Sequence, residues 1–537
     1  MISHMSQSIP VHSSGAKNSQ SSQRLASQSA MHSASSTTGV KSILLKKQSS
    51  SSHAVAMKND IPTTDIASLV YFRIAFGGIM LLEVIRYFQY DRIKRYYLEP
   101  KFLFTYYGFD WVHPWPGDGL YYHFLALGVL SFFIMLGLFY RVSAFLFFLG
   151  FTYIFLLDQT HYLNHFYFVS LVSFLMIFVP ANRAFSIDAW RRADIRSETA
   201  PAWALRVLRA QMGIVYFYGG LAKLNSDWLH GEPMRMWLAE RAYYPYVGWL
   251  FTQEWMAYFF SYGGLLLDLL VVPLLLWQKT RIFAFCWAVA FHLSNAYLFR
   301  IGIFPWFSIA ATTLFFSPDW PRLFVRWCWG LFSKEKHPKE IHKHLVSNVT
   351  AQLHPGHRIT IVLLGIYVAI QILVPLRHHL YPGNVSWTEE GHNFSWMMKL
   401  RSKKAKAKFF ATDPLTDMTW EINILDYLTY KQRNTMDTRP GMILNLSHNL
   451  AKGLRKQGYE QIEIRAEVWA SLNGRKLQLL VDPTVNLAAQ QRSLMPAKWI
   501  MPLLEPLPTR EQRNDYIKKL TNRMNPLRRQ NEETNDL

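Results

Sequence analysis

Long apolar stretches separated by basic loops dominate residues 66–376. A helix needs roughly 20 apolar residues to cross a membrane, because unpaired backbone polar groups are too costly in hydrocarbon. This requirement predicts about nine membrane-spanning helices. The predicted spans are residues 66–88, 119–139, 142–158, 163–181, 203–223, 256–277, 281–299, 302–318 and 358–376. Since the span 203–223 contains Arg206, Arg209 and Lys223, we expect neighbouring helices to shield it from lipid.

The pattern changes after the last predicted span. Residues 461–471 alternate between apolar and polar side chains, as a half-buried strand requires. The predicted strands are residues 405–412, 417–423, 461–471 and 475–482. A helix is predicted over 440–457, and Gly458 suits its C-cap. The sequence therefore predicts an α-helical polytopic membrane domain of about nine spans at 58–376, followed by a C-terminal, mainly β extramembrane domain at 377–537.

The first 57 residues are rich in serine and have no apolar periodicity. Such a segment buries too little apolar surface to offset the entropy lost on ordering, so residues 1–57 are predicted to be disordered. No short apolar region with a small-residue cleavage site precedes residue 66. We therefore expect the first span, and not a cleaved signal peptide, to direct membrane insertion.

The composition separates two classes of partner. The chain has 57 Lys and Arg against 36 Asp and Glu, a net charge of +21, yet half of its residues are hydrophobic. A basic excess suits either nucleic acid or an anionic membrane surface. Because the charge lies in loops between apolar spans and no nucleic-acid-binding module is present, the lipid bilayer is the predicted partner and nucleic acid is not. Two cysteines, Cys286 and Cys328, are too few for a disulfide scaffold.

The loop charges also predict an orientation. If the N-terminus is cytoplasmic, the inner loops hold 13 Lys and Arg residues and the outer loops hold seven. Cytoplasmic loops carry the excess of Lys and Arg in membrane proteins. The sequence therefore predicts a multi-pass protein whose C-terminal domain is periplasmic or lumenal, in a bacterial inner membrane or the endoplasmic reticulum.

One lysine stands at the end of an apolar span. Lys223 follows Gly219 and Gly220, two residues that allow close approach of another helix or a ligand. Burial makes the ammonium form costly, and a neutral amine near pH 7 can act as a base. The alternative is that Lys223 extends to the membrane interface as an ordinary structural lysine.

A short turn at 158–168 concentrates polar side chains between two spans, including His161, Asn164 and His165. Polar groups in such a position tend to be functional, although hydrogen-bonded structural histidines are more common. His161 and His165 are four residues apart and would share a helix face, but no third ligand has close spacing. We therefore predict no metal site.

Asp268 and His292 are isolated polar residues within apolar runs. Each needs a partner in the membrane interior, and a purely structural pairing remains open at this stage. If these side chains and Lys223 line a path across the membrane, the chain is a transporter; no internal repeat of the kind found in many transporters is visible.

Several segments together resemble the vitamin K-dependent γ-glutamyl carboxylase family, with an HTTM-type membrane domain and a C-terminal extramembrane domain. They run in family order from about residue 66 to 500. The resembling segments are residues 70–88, 137–165, 215–231, 263–276, 291–306, 316–322, 390–402 and 467–483.

The resemblance implies an enzyme with vitamin K hydroquinone as co-substrate together with O₂ and CO₂. Reduced vitamin K is deprotonated and reacts with O₂ to give a strong base, which removes the γ-proton of a protein glutamate. CO₂ then adds to give γ-carboxyglutamate, and the quinone leaves as its epoxide. The implied partners are a glutamate-containing protein or peptide substrate and a quinone reductase that supplies reduced vitamin K.

The resemblance also implies roles for individual residues. The catalytic lysine of the family matches Lys223, and its important membrane-side histidine matches His165. We further expect His292, Asn164 and Asp268 to bind the cofactor. Apolar helices suit this chemistry, because water would quench a powerful transient base.

The sequence also departs from the family. The animal enzymes are longer and carry a disulfide that Cys286 and Cys328 do not obviously reproduce, so recognition of a propeptide is not predicted. One alternative function is oxidation of the hydroquinone to its epoxide without protein carboxylation. Another is an acyltransferase that uses His165 or His292.

Overall fold

The computed structural model describes residues 60–244, 246–299, 301–332, 350–352 and 355–519. The predicted disordered segment 1–57 lies outside the described residues. Within them, the protein is mostly helical up to residue 388 and carries a four-stranded β-sheet towards the C-terminus. This agrees with the predicted order of a helical region followed by a strand-rich one.

A helix occupies each of the nine predicted spans. The helices of this region are α1 (Ala67–Gln89), α2 (Gly119–Leu136), α3 (Tyr140–Leu156), α4 (Asn164–Phe178), α5 (Ile187–Arg191), α6 (Ala202–Leu221), α7 (Ser226–Leu229), α8 (Met234–Ala239), α9 (Glu254–Leu276), α10 (Arg281–Phe299), α11 (Phe304–Thr312), α12 (Trp320–Phe332), α13 (Pro355–Leu376) and α14 (Val385–Thr388).

The structure supports only part of the predicted set of nine spans. Among the described residues, five helices are long and apolar enough to cross a membrane, namely α1, α2, α9, α10 and the stretch Arg358–Leu380 that includes most of α13. Three further apolar helices are shorter: Tyr140–Leu156, Asn164–Phe178 and Phe304–Phe315. The helix α6 is not among these candidates, and its side chains, Leu205, Leu208 and Gln211 among them, are largely buried. Nine spans are therefore not confirmed.

Glycines bring helices into close contact at two places. A Cβ atom at Gly77 would lie 2.6 Å from the backbone nitrogen of Met135, so α1 and α2 touch at the backbone. A Cβ atom at Gly220 would lie 2.6 Å from Cδ2 of Leu269, which fixes the approach of α6 to α9. Small residues at helix interfaces allow this approach in membrane proteins. The second contact places the end of α6 beside the middle of α9.

A small antiparallel sheet joins distant parts of the helical region. Its strands are β1 (Asp60–Asp65), β2 (Thr199–Pro201) and β3 (Thr350–Gln352), in the order β2-β1-β3. Thr63 pairs with Pro201, and Asp60 pairs with Gln352. The apolar pattern gave no indication of this sheet, because its three strands are short and far apart in the sequence.

The second sheet lies in the C-terminal region and has the order β5-β4-β6-β7, with every neighbouring pair antiparallel. The strands are β4 (Lys403–Asp413), β5 (Met418–Ile422), β6 (Glu463–Leu472) and β7 (Gln478–Val481). The helices α15 (Tyr430–Met436) and α16 (Pro440–Arg455) lie between β5 and β6 in the chain. Ile464, Ala466 and Val468 are fully buried on one face of β6, so the predicted alternation is confirmed.

Candidate active site

A cavity of about 100 Å³ lies among α6, α9, α10 and α11. Its walls are mainly apolar and aromatic, and they include Trp228, Trp237 and Phe304. Met398 and Lys399, from the segment that leads into β4, also line it. Apolar cavities with a few convergent polar groups are the usual form of small-molecule sites. We therefore take this cavity as the candidate active site.

Lys223 lies just beyond the end of α6 and faces Asp268 on α9. Its Nζ atom donates to Oδ2 of Asp268 over 2.5 Å and to the carbonyl oxygen of Gly219 over 2.9 Å. Both side chains of this ion pair are only about 5–6% exposed. Gly219 makes the approach possible, since a Cβ atom there would lie 3.1 Å from the Asp268 carboxylate. The two residues singled out separately by the sequence thus form one buried pair at the cavity wall.

The prediction of a neutral amine at Lys223 considered burial but not this partner. The carboxylate of Asp268 lies 2.5 Å from Nζ and can balance the charge of an ammonium there. The pair can therefore hold a proton at Nζ after the amine has accepted it. The neutral amine stays a prediction.

His292 lies on α10 at the same cavity and is 1% exposed. Its Nε2 atom is 2.8 Å from the hydroxyl of Tyr216, a residue of α6. Its other ring nitrogen, Nδ1, is buried and has no hydrogen-bond partner among the described residues. A buried polar atom without a partner is costly, so this nitrogen is suited to bind an oxygen of a ligand.

Asn164 and His165 do not line the cavity. The ring of His165 packs against Phe304, with 5.7 Å between ring centroids, and Phe304 lies at the same distance from His292. Asn164 donates from Nδ2 to the carbonyl oxygen of Met397 over 3.3 Å. These two residues therefore support the walls from behind. Their predicted catalytic and cofactor-binding roles stay predictions.

The sequence analysis did not single out Tyr216 or Lys399. Tyr216 lies in the segment 215–231, which contributed to the family resemblance, but no role was assigned to it. Lys399 holds its Nζ atom 5.5 Å from the Trp237 ring and 5.1 Å from the Phe299 ring, at the wall formed by the segment that leads into β4. The sequence offered one indication of Lys399: it lies in the segment 390–402, which contributed to the family resemblance.

The other polar residues of the turn at 158–168 connect the helical and C-terminal regions. Asp158 accepts from the backbone nitrogens of Thr160 and Phe104, over 2.8 and 3.3 Å, and burial raises its pKa to about 6. His161 stacks on Tyr96, and its Nδ1 atom is 3.2 Å from the Lys431 amine. The described residues contain no group of three His, Cys, Asp or Glu suited to a metal ion. A structural role accounts for the contacts of Asp158 and His161.

Comparisons with known protein families match both structural regions. The model of the HTTM domain matches residues 62–320. The model described as vitamin K-dependent gamma-carboxylase, lumenal domain, matches residues 356–506. No solved structure matches the chain. The two matches lie in the order that the resembling sequence segments indicated, and the chain therefore belongs to the vitamin K-dependent gamma-glutamyl carboxylase family.

Proposed function

We propose that this membrane protein couples oxidation of vitamin K hydroquinone to its epoxide with carboxylation of protein glutamate to γ-carboxyglutamate. Membership of the family implies vitamin K hydroquinone, O₂ and CO₂ as co-substrates and a glutamate-containing protein as substrate. The observation that carries the proposal is the buried Lys223–Asp268 pair at the wall of an apolar cavity.

The cavity residues fit a flat, two-ring quinol. Trp228, Phe291 and Phe304 supply apolar and aromatic walls, which suit a flat ring system. The unpartnered Nδ1 of His292 offers a hydrogen-bonding position for a ring oxygen. When bound, the reduced vitamin supplies the oxidisable ring whose reaction with O₂ provides the base for glutamate.

In this proposal Lys223 starts turnover by accepting a hydroquinone proton at Nζ. The resulting ammonium is held by Asp268 at 2.5 Å and by the Gly219 carbonyl. Tyr216 fixes the ring orientation of His292 through their 2.8 Å hydrogen bond. The apolar walls keep water out, which protects a strong base until glutamate arrives.

Lys399 is the proposed contact for the incoming glutamate. It is a cation at the wall formed by the extramembrane region, and its position complements the charge of a glutamyl carboxylate. A protein substrate would then approach from the side of the C-terminal domain, which we propose to be periplasmic or lumenal. A quinone reductase in the same membrane is the proposed source of reduced vitamin K.

The test of the function uses purified protein with reduced vitamin K, O₂, isotopically labelled CO₂ and a glutamyl peptide. We expect epoxide and label incorporation to rise together. Epoxide without label would contradict the coupled reaction and favour the epoxidase alternative, while the absence of both would contradict the whole proposal.

The role of Lys223 is tested separately. Lys223→Ala should abolish epoxide formation without loss of assembled protein, and an added small primary amine should restore part of the rate because it can occupy the vacated space. Lys279→Ala, which removes an exposed lysine between α9 and α10, is the matched control and should keep full activity. Normal epoxide formation by Lys223→Ala would refute the assignment.

A further inference from the structure

A second cavity, of about 680 Å³, lies at the end of the helical region away from the C-terminal domain. Tyr140, the first residue of α3, lines this cavity. Beyond the other end of α3, the carbonyl oxygen of Gln159 accepts from Arg439 of the C-terminal region over 2.9 Å. A helix of 17 residues is about 25 Å long, so the two contacts lie on opposite faces of the helical region.

This basic cavity is lined by an excess of positive charge. Its five arginines are Arg141, Arg183, Arg191, Arg192 and Arg196. Two carboxylates, Asp188 and Asp194, also line it, so the formal charge is five minus two, or +3. Loops that follow the positive-inside rule need only a basic composition. Here the cations surround a single concavity, which is the arrangement of an anion site.

The carboxylate of Asp188 already accepts hydrogen bonds from backbone and amide donors. It accepts from the backbone nitrogens of Phe139 and Tyr140, over 2.9 and 3.0 Å, and from Nδ2 of Asn182 over 2.8 Å. These bonds hold the first turn of α3. Within the described part of the chain, none of the five arginines forms an ion pair. Burial, and to a lesser extent the neighbouring Arg141, lower the pKa of Arg183.

A buried arginine fixes the loop that carries these side chains. Arg73 of α1 donates to the carbonyl oxygen of Ala181 over 2.9 Å and to that of Phe185 over 2.6 Å. Phe185 adopts a positive φ of 46°, and its side chain points outward with 83% exposure. Trp190, in the short helix α5 that follows, is 78% exposed. Exposed aromatic side chains beside basic ones are typical of the membrane interface, where lipid headgroups meet acyl chains.

We propose that this basic cavity binds the phosphate of an anionic membrane phospholipid, with Phe185 and Trp190 beside the acyl chains. Arginine suits this role because its planar fork can donate two parallel hydrogen bonds to phosphate oxygens. The lipid would neutralise arginines that form no ion pair within the described residues, although Arg191 also lies 4.8 Å from the Phe139 ring. The site lies on the opposite face from the carboxylase cavity and does not depend on the proposed reaction.

The experiment is a native mass-spectrometric titration of the full chain in detergent micelles. Dioleoylphosphatidylglycerol is added to the native protein, to Arg141→Gln/Arg183→Gln and to Lys94→Gln/Arg95→Gln. The last variant is the matched control, since it removes two exposed cations after α1, at the opposite face. Dioleoylphosphatidylcholine and inorganic phosphate are titrated in parallel. Arg191→Gln/Arg192→Gln repeats the test at two exposed side chains if the first variant does not fold.

We expect Arg141→Gln/Arg183→Gln, the cavity variant, to bind phosphatidylglycerol at least about tenfold more weakly than the control variant. A tenfold change corresponds to a loss of about 1.4 kcal/mol of charged hydrogen bonding. Phosphatidylcholine should bind more weakly to native protein, and phosphate should not displace the anionic lipid. Equal affinity in the cavity variant and the control would overturn the proposal. Displacement of the lipid by an equal concentration of phosphate would also overturn it, since the site would then recognise a small free anion.

Discussion

Gly219→Ala tests whether the missing side chain at Gly219 is needed for the observed positions of Lys223 and Asp268. The added Cβ atom would lie 3.1 Å from Oδ2 of Asp268 and 2.9 Å from Cε of Met398. The methionine end can rotate away, but the carboxylate must move about 0.3 Å to reach an ordinary 3.4 Å contact. Misplacement of reacting groups by about 1 Å can cost roughly 100-fold in rate. We therefore expect epoxide formation to fall about fivefold to tenfold, or about 1 kcal/mol.

Gly213→Ala is the matched control on the same helix. A Cβ atom at Gly213 would lie 3.6 Å from Cγ1 of Val272, which is ordinary van der Waals contact. Both substitutions replace a glycine within α6, and each gains up to about 1 kcal/mol in helix propensity. Thermal unfolding in detergent should therefore show no loss of stability from Gly213→Ala, and its rate of epoxide formation should match that of the native protein.

The two variants are compared by initial rates of epoxide formation at saturating hydroquinone, with the unfolding temperature measured on the same preparations. A native rate for Gly219→Ala would refute the reasoning that the carboxylate position limits catalysis. An equal loss in Gly213→Ala would also refute it, since the effect would then belong to the helix as a whole.

Asp268→Asn keeps the shape of the side chain but leaves the Lys223 ammonium without its anion. We expect epoxide formation to become at least about 100-fold slower, which corresponds to a loss of about 3 kcal/mol. An unchanged rate would contradict the pairing role. Burial lowers the pKa of His161 to about 3. The unfolded chain therefore binds a proton below about pH 6.5 that the folded chain excludes, and stability is lost as pH falls towards 3 by up to about 1.4 kcal/mol per unit. His161→Phe should flatten this slope in unfolding scans between pH 4.5 and 7, whereas an unchanged slope would assign it to other groups. In a chain whose own cysteines have been replaced, Leu415→Cys should react with a membrane-impermeant maleimide added outside the cytoplasm. Arg196→Cys should react only after the membrane is permeabilised. The opposite labelling pattern would show that the proposed topology is reversed.

Much of the architecture follows from local periodicity. The apolar runs located a helix at every predicted span, and the alternation at 461–471 located β6, because both patterns arise from burial within a single element. The candidate spans are identified by length and apolar composition, and α6, which is 20 residues long and contains Arg206 and Arg209, is not among them.

Only part of the candidate active site could be predicted from the sequence. Lys223, Asp268 and His292 were noticeable as polar residues in apolar runs, but their arrangement depends on the packing of α6 against α9 and α10. Lys223 and Asp268 are 45 residues apart, and nothing in local spacing pairs them. Asn164 and His165 stood out equally, yet the structure places them behind the cavity wall.

The cavity has a wall that does not belong to the helical bundle. Met398 and Lys399 reach it from beyond α13, and the neighbouring Met397 is fastened to Asn164 by a hydrogen bond. A protein truncated after Leu376 would consequently lack one wall of the candidate active-site cavity, and solvent would enter the cavity. Gene fusion or domain exchange at that point would have to carry the segment up to residue 400 along with the helices.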